Sequence, residues 1–235
     1  MKTIDMHLFG DSVARGIVLD EQGRYSPLKD GFAARFSSQA GVSLVNHARF
    51  GCTIRKGREF LLRFLSKEEK PSLERKLAVL EFGGNDCDFR WDEIATSPDK
   101  EHRPAVTLDE FSDTYGAMID ALREKGYEPV AMTLPPLDAE RYFSWFTRSG
   151  LDQKAILGWL GDVQQIYRWH EMYSDAVREI ARLRDCLLFD VRKYFLERRN
   201  FRTFLCLDGI HPNEEGHKLM ESAFEDFAAR ELSPA

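Results

Sequence analysis

Short apolar runs separated by longer stretches of helical periodicity place the strongest limit on how this chain can fold. The runs TIDMHLF (3–9), VSLVNH (42–47), KLAVLEF (76–82), EPVAMTL (128–134) and CLLFDV (186–191) have strand length and suit a pleated, buried surface. Between them, apolar positions recur at helical spacing over 31–40, 54–65, 107–125 and 163–184. A last helix is expected from Pro212 to about Arg230, with Pro212 in the first turn, where its missing N–H is not needed. Alternation of this kind builds βαβ units, so the chain is expected to be α/β, with a central parallel sheet of about five strands.

Nothing divides the chain. It has no internal repeat and no linker rich in Pro, Gly or Ser, and the charged run KEEKPSLERK (67–76) reads as a solvated connection before the third strand. One domain over residues 1–235 is expected, a length that buries a substantial core. Two connections, 87–106 and 135–162, are longer than such a fold requires and are expected to be long loops near the site. Both follow carboxyl ends of strands, the edge at which open α/β sheets bind ligands.

Four short pieces carry chemistry, each placed after a strand or before a helix. They are Gly10-Asp11-Ser12, the stretch NHARFG ending at Gly51, Gly83-Gly84-Asn85-Asp86, and Asp208-Gly209-Ile210-His211. Ser12 alone serves equally well as a helix cap, Asn85-Asp86 as a turn and Asp208 as an Asx-turn residue. Together they supply what acyl transfer needs: a hydroxyl nucleophile, an imidazole to take its proton and a carboxylate to fix the imidazole tautomer. Backbone N–H groups at Ser12 and Gly51, with the Asn85 amide, are candidate donors to a developing oxyanion.

These residues resemble the SGNH (GDSL-type) hydrolase superfamily. Ser12 lies in GDS, Gly51 in NHARFGCT, Asn85 in GGND and His211 in DGIHP, in order over residues 10–212. The resemblance implies a flavodoxin-like, three-layer α/β/α sandwich. It implies Ser12 as nucleophile, His211 as base and then acid, Asp208 as its partner, and an oxyanion hole of Ser12, Gly51 and Asn85. Val13 stands where leucine follows GDS in many members, and Ala48 where glycine is frequent; neither position carries a reacting group.

The expected activity is therefore cleavage of small carboxylic esters through an acyl-enzyme, with short acyl groups on a carbohydrate or small metabolite favoured. Longer-chain lysophospholipase, thioesterase or acyltransferase chemistry is the alternative. Asp11, Asp88, Trp91, Tyr142 and Trp145 are the candidate substrate-binding residues. The segment 142–173 is rich in aromatic residues, which serve as core packing, as pocket walls or as a contact between copies in a homo-oligomer. A magnesium-dependent phosphatase built on Asp86 or Asp88 fits less well, because no D-x-D-x-[TV] pattern continues from them.

Other partners are disfavoured. The net charge of −6 is not a nucleic-acid footprint, and no run approaches the ~18 apolar residues of a membrane span. The four cysteines are scattered and His170-Glu171 lacks a second histidine at zincin spacing, so neither a metal nor another cofactor is expected. With no apolar signal region at the N-terminus, a cytoplasmic location is expected. His7, His47 and His217 are read as structural.

Overall fold

In a computed structural model, which describes residues 4–40, 42–67 and 75–232, the apolar runs form the expected sheet. In chain order the elements begin with β1 (Ile4–Gly10), α1 (Ser12–Arg15), β2 (Ile17–Leu19), β3 (Tyr25–Pro27), α2 (Phe32–Ala40), β4 (Ser43–Asn46) and α3 (Ile54–Leu65). There follow β5 (Arg75–Glu81), α4 (Trp91–Thr96), α5 (Leu108–Glu124), β6 (Glu128–Met132), α6 (Ala139–Thr147) and α7 (Gln153–Leu160). The chain continues through α8 (Gln165–Leu183), β7 (Leu187–Phe189), α9 (Val191–Leu196) and α10 (Glu214–Glu231). Residues 68–74 of the charged run lie outside the described residues.

The sheet order is β4-β1-β5-β6-β7, and every pairing is parallel. Period-two alternation sends neighbouring side chains to opposite faces. Phe9, Ala78, Leu80 and Ala131 pack beneath α3, α5 and α8, while Met6, Leu8, Val79, Val130 and Met132 pack with α2, α9 and α10. The result is the expected three-layer α/β/α arrangement. Among the described residues no helix is long and apolar enough to cross a membrane.

After β1 the chain runs first to β4 on one side and then to β5 on the other, so a crevice opens at the carboxyl ends of β1 and β5. There Gly10 pairs with Glu81, immediately before Ser12 and Asn85. A Cβ on Gly10 would lie 2.6 Å from the Glu81 carbonyl oxygen and 2.7 Å from Ala14 Cβ, so only glycine lets α1 start this close to β5.

Two expectations are corrected and one element is added. The segments 87–106 and 135–162 are not simply long loops, since they contain α4, α6 and α7. Their apolar residues (Trp91, Ile94, Leu137, Phe143, Ile156, Leu160) bury one another in a third cluster at the mouth of the crevice. Pro212 does not open the last helix. It is extended and bridged to Leu205, and the helix begins at Glu214, where the Asn213 side chain accepts from Gly216 N at 3.0 Å. The hairpin β2–β3, read from no sequence signal, crosses above the site.

Candidate active site

Ser12 opens the one-turn helix α1, held by Asp11, whose Oδ1 accepts from Val13 N at 2.9 Å. His211 and Asp208 come from the loop before α10. That loop is pinned by the main-chain bonds Cys206 N to His211 O (2.8 Å) and Asp138 N to Gly209 O (2.7 Å). Asp208 Oδ1 accepts from the N–H groups of Ile210 and His211, both at 3.1 Å, which aims Oδ2 at the imidazole. Nδ1 of His211 then lies 2.6 Å from Oδ2, and Nε2 lies 2.9 Å from Ser12 Oγ.

The carboxylate only accepts, so Nδ1 carries the proton and Nε2 presents a lone pair to the serine hydroxyl. All three side chains are buried. Burial pushes the Asp208 carboxyl up, but the hydrogen bond and charge of His211, with the two main-chain donors, outweigh it and hold the group below its ordinary value. A relay from Ser12 through His211 to an ionised Asp208 can move a proton off the hydroxyl.

The oxyanion candidates meet at the same place, since Ser12, Gly51 and Asn85 line one cavity. Gly51 has φ 65°, and a Cβ there would meet nothing within 4 Å. Glycine is required at this position by the left-handed backbone, not by crowding. Asn85 Nδ2 donates to Asp11 Oδ2 at 2.8 Å, leaving a second N–H on the same amide for the cavity. Asp11, a candidate substrate-binding residue, lines the cavity while its Oδ2 holds the Asn85 amide. Beneath it Glu81 Oε2 accepts from Asp11 N (3.3 Å) and Ala14 N (3.2 Å). Burial and the neighbouring Asp11 charge push the Glu81 carboxyl well up, and burial raises that of Asp11 as well.

Asp86 does not face the cavity. It is fully buried, and its Oδ1 accepts from Ile54 N at 2.8 Å, tying the Asn85 loop to the loop that carries Gly51. Asp88 lines the cavity, with its oxygens engaged by Trp91 Nε1 (2.9 Å) and Tyr142 Oη (2.8 Å). Asp86 is buried outside the cavity and both Asp88 oxygens are engaged, so neither acid is placed to act as a phosphoryl-transfer nucleophile.

The cavity has a volume of about 380 Å³, and Trp91, Tyr142 and Trp145 line it as expected. Within the aromatic segment, Tyr173 and Phe143 are core residues. Several lining residues were not foreseen. Tyr25 tilts over the His211 ring (centroids 5.1 Å apart) and Phe50 lies parallel to it at 6.1 Å. Phe50 adjoins Gly51 in sequence, which was a usable signal; Tyr25 sits in the unforeseen hairpin and had none. His170 also lines the cavity. Its Nδ1 lies 3.3 Å from Arg192 Nη1, and a guanidinium only donates, so the His170 proton sits on Nε2. Burial and the Arg192 charge hold that imidazole neutral.

Comparison with known proteins agrees with this geometry. The model of the GDSL-like lipase/acylhydrolase family matches residues 8–219. A protein of Bacillus subtilis (strain 168), named as an uncharacterised lipoprotein, is 25% identical over 98% of this chain and 83% of its own length. A G-D-S-L family lipolytic protein from Veillonella parvula superposes with TM-score 0.67 at 14% identity, covering 97% of this chain and all of the other. A catalytic mutant of an acetylxylan esterase from Geobacillus stearothermophilus gives TM-score 0.63 at 19% identity, covering both chains completely.

Proposed function

The chain belongs to the GDSL-like lipase/acylhydrolase family and is a carboxylic ester hydrolase, and we propose that it removes short acyl groups, acetyl above all, from a carbohydrate or small polar metabolite. Ser12 Oγ attacks the ester carbonyl as His211 Nε2 takes its proton. The tetrahedral oxyanion is received by the N–H groups of Ser12 and Gly51 and the free N–H of Asn85. His211 then protonates the departing alcohol. Water, deprotonated by the same nitrogen, attacks the acyl-serine and frees the acid.

The observation that carries this reading is the relay of 2.9 and 2.6 Å opening directly onto the aromatic cavity. The preference for small polar substrates has three supports. The cavity lies toward the small end of the usual range of about 300–1,000 Å³. Its aromatic walls carry fixed polar groups, the His170 Nε2 donor and the Asp88 carboxyl, suited to hydroxyls. A structural neighbour is named an acetylxylan esterase. We also place the protein in the cytoplasm on its free cysteines, to be checked by cell fractionation.

A series of p-nitrophenyl esters from two-carbon to sixteen-carbon acyl groups, assayed with EDTA, tests the reading. Turnover is expected to be highest at two to four carbons and unaffected by the chelator. A maximum at long chains would instead favour the lysophospholipase or thioesterase alternative.

A further inference from the structure

A second groove, of about 620 Å³, lies on the other side of Phe50, which lines both it and the catalytic cavity. Arg15, Arg49, Arg63 and Lys67 line it together with His47. In a chain of net charge −6 this is a concentration of positive charge, and among the described residues no carboxylate lines it. Several arginines elsewhere do find acids, as Arg55 finds Glu110 and Arg75 finds Glu128. Among the described residues no carboxylate lies within ion-pair distance of these four cations.

Two of the cations are held in place without an acid. Arg15 Nη1 donates to Ala48 O at 3.1 Å, leaving its other N–H groups free. The Arg49 guanidinium lies 3.7 Å over the Phe60 ring, a stacking that fixes its plane and leaves its edge donors exposed. The floor is ordered by hydrogen bonds. His47 Nε2 lies 2.9 Å from His7 Nδ1, and His7 Nε2 lies 3.3 Å from Asp5 Oδ2, so the chain of donors runs from His47 to Asp5. Preorganised guanidinium edges beside an aromatic wall match the oxygens of a phosphate group better than those of a neutral sugar.

The groove is built from the same segments as the catalytic centre. Arg15 ends the helix that Ser12 begins, and Arg49 stands two residues before Gly51 in the same turn. We propose that this groove binds a phosphate group carried on the leaving-group part of the ester that Ser12 attacks. The proposal rests on the esterase reading above and narrows its substrate to an ester of a phosphate-bearing alcohol.

The test compares 6-acetoxyhexyl phosphate with 6-acetoxyhexanol, the same acetate ester with and without the anion. At low ionic strength kcat/KM is expected to be about tenfold or more higher for the phosphate ester, with the advantage shrinking as salt is added. The double variant Arg63→Gln/Lys67→Gln should lose most of that preference while hydrolysing the neutral ester within about twofold of the parent rate, as expected for rim charges remote from the reacting atoms. Equal kcat/KM for the two esters, or a preference unchanged in the variant, overturns the proposal. Calorimetry with 6-hydroxyhexyl phosphate and with inorganic phosphate separates this from failure of the esterase reading, because it needs no turnover. Binding of the hexyl phosphate that weakens in the variant supports the groove even if neither ester is cleaved. Binding of inorganic phosphate alone, with no ester preference, assigns the groove to a free anion and refutes the substrate role.

Discussion

Replacing Asp86 by asparagine isolates the energetics of the tie between the two oxyanion loops. The carboxyl is fully buried, and burial, with the charge of Asp11, pushes it from 3.8 to about 7, despite the Ile54 N–H that it accepts. Below pH 3.8 the group is protonated in both folded and unfolded chains and has no pH effect. Between 3.8 and about 7 the unfolded chain is ionised while the folded one keeps its proton, so stability falls as pH rises. At about 1.4 kcal/mol per unit, the full loss is about 4 kcal/mol, of which about 2–3 kcal/mol falls between pH 5 and 8. Asparagine keeps the carbonyl that Ile54 N–H needs and cannot ionise. Urea unfolding at pH 5 and pH 8 should therefore show a stability difference smaller by about 2–3 kcal/mol in Asp86→Asn than in the parent. Identical pH differences in the two proteins would refute the raised carboxyl and the neutral tie built on it. Asp86→Ala, which strands the Ile54 N–H, should lose about 1–3 kcal/mol at pH 5 and, having no carboxyl to ionise, show the same reduced pH difference as Asp86→Asn.

The remaining expectations concern the reacting groups. Ser12→Ala should abolish both ester turnover and labelling by a fluorophosphonate, and surviving label would remove Ser12 from its role. Asp208→Asn should keep the fold, as judged by circular dichroism, and lower kcat by about 10⁴, since the amide favours the wrong imidazole tautomer. Asn85→Ala should lower kcat by about 10²–10³ with little change in KM, the signature of a donor used mainly in the transition state. Glu81→Gln keeps an oxygen to accept the Asp11 and Ala14 N–H groups, so activity should remain within about tenfold of the parent; a loss as large as that of Asn85→Ala would show that the acid itself is required.

The catalytic relay was legible in the sequence because each of its members stands at a boundary that periodicity could locate. Ser12 follows the first apolar run, Asn85 the third, and Asp208 and His211 share one turn; that the first and third runs lie side by side is set by the sheet order. The walls of the cavity were legible only in part. Trp91 and Trp145 stood out as residues, yet α4, α6 and α7 are short helices whose apolar faces meet one another away from the sheet, which blurs the spacing by which helices are recognised. The hairpin bearing Tyr25 has two strands of three residues, and all of β3 is exposed, so no alternation marks it. Glu81 was overlooked because it ends an apolar run. A carboxylate in such a strand was itself the signal, as its bonds to the Asp11 and Ala14 N–H groups show.

The aromatic lining has an optical consequence. Trp91, Trp145 and Trp169 border the cavity, and Trp159 packs against Phe89 and Trp169 with ring centroids 5.2 and 5.3 Å away. These are all of the tryptophans in the chain, so the intrinsic ultraviolet emission of the folded protein comes almost wholly from the walls that meet a ligand. The unlabelled protein is its own fluorescent gauge of occupancy, free of background from indoles elsewhere in the fold.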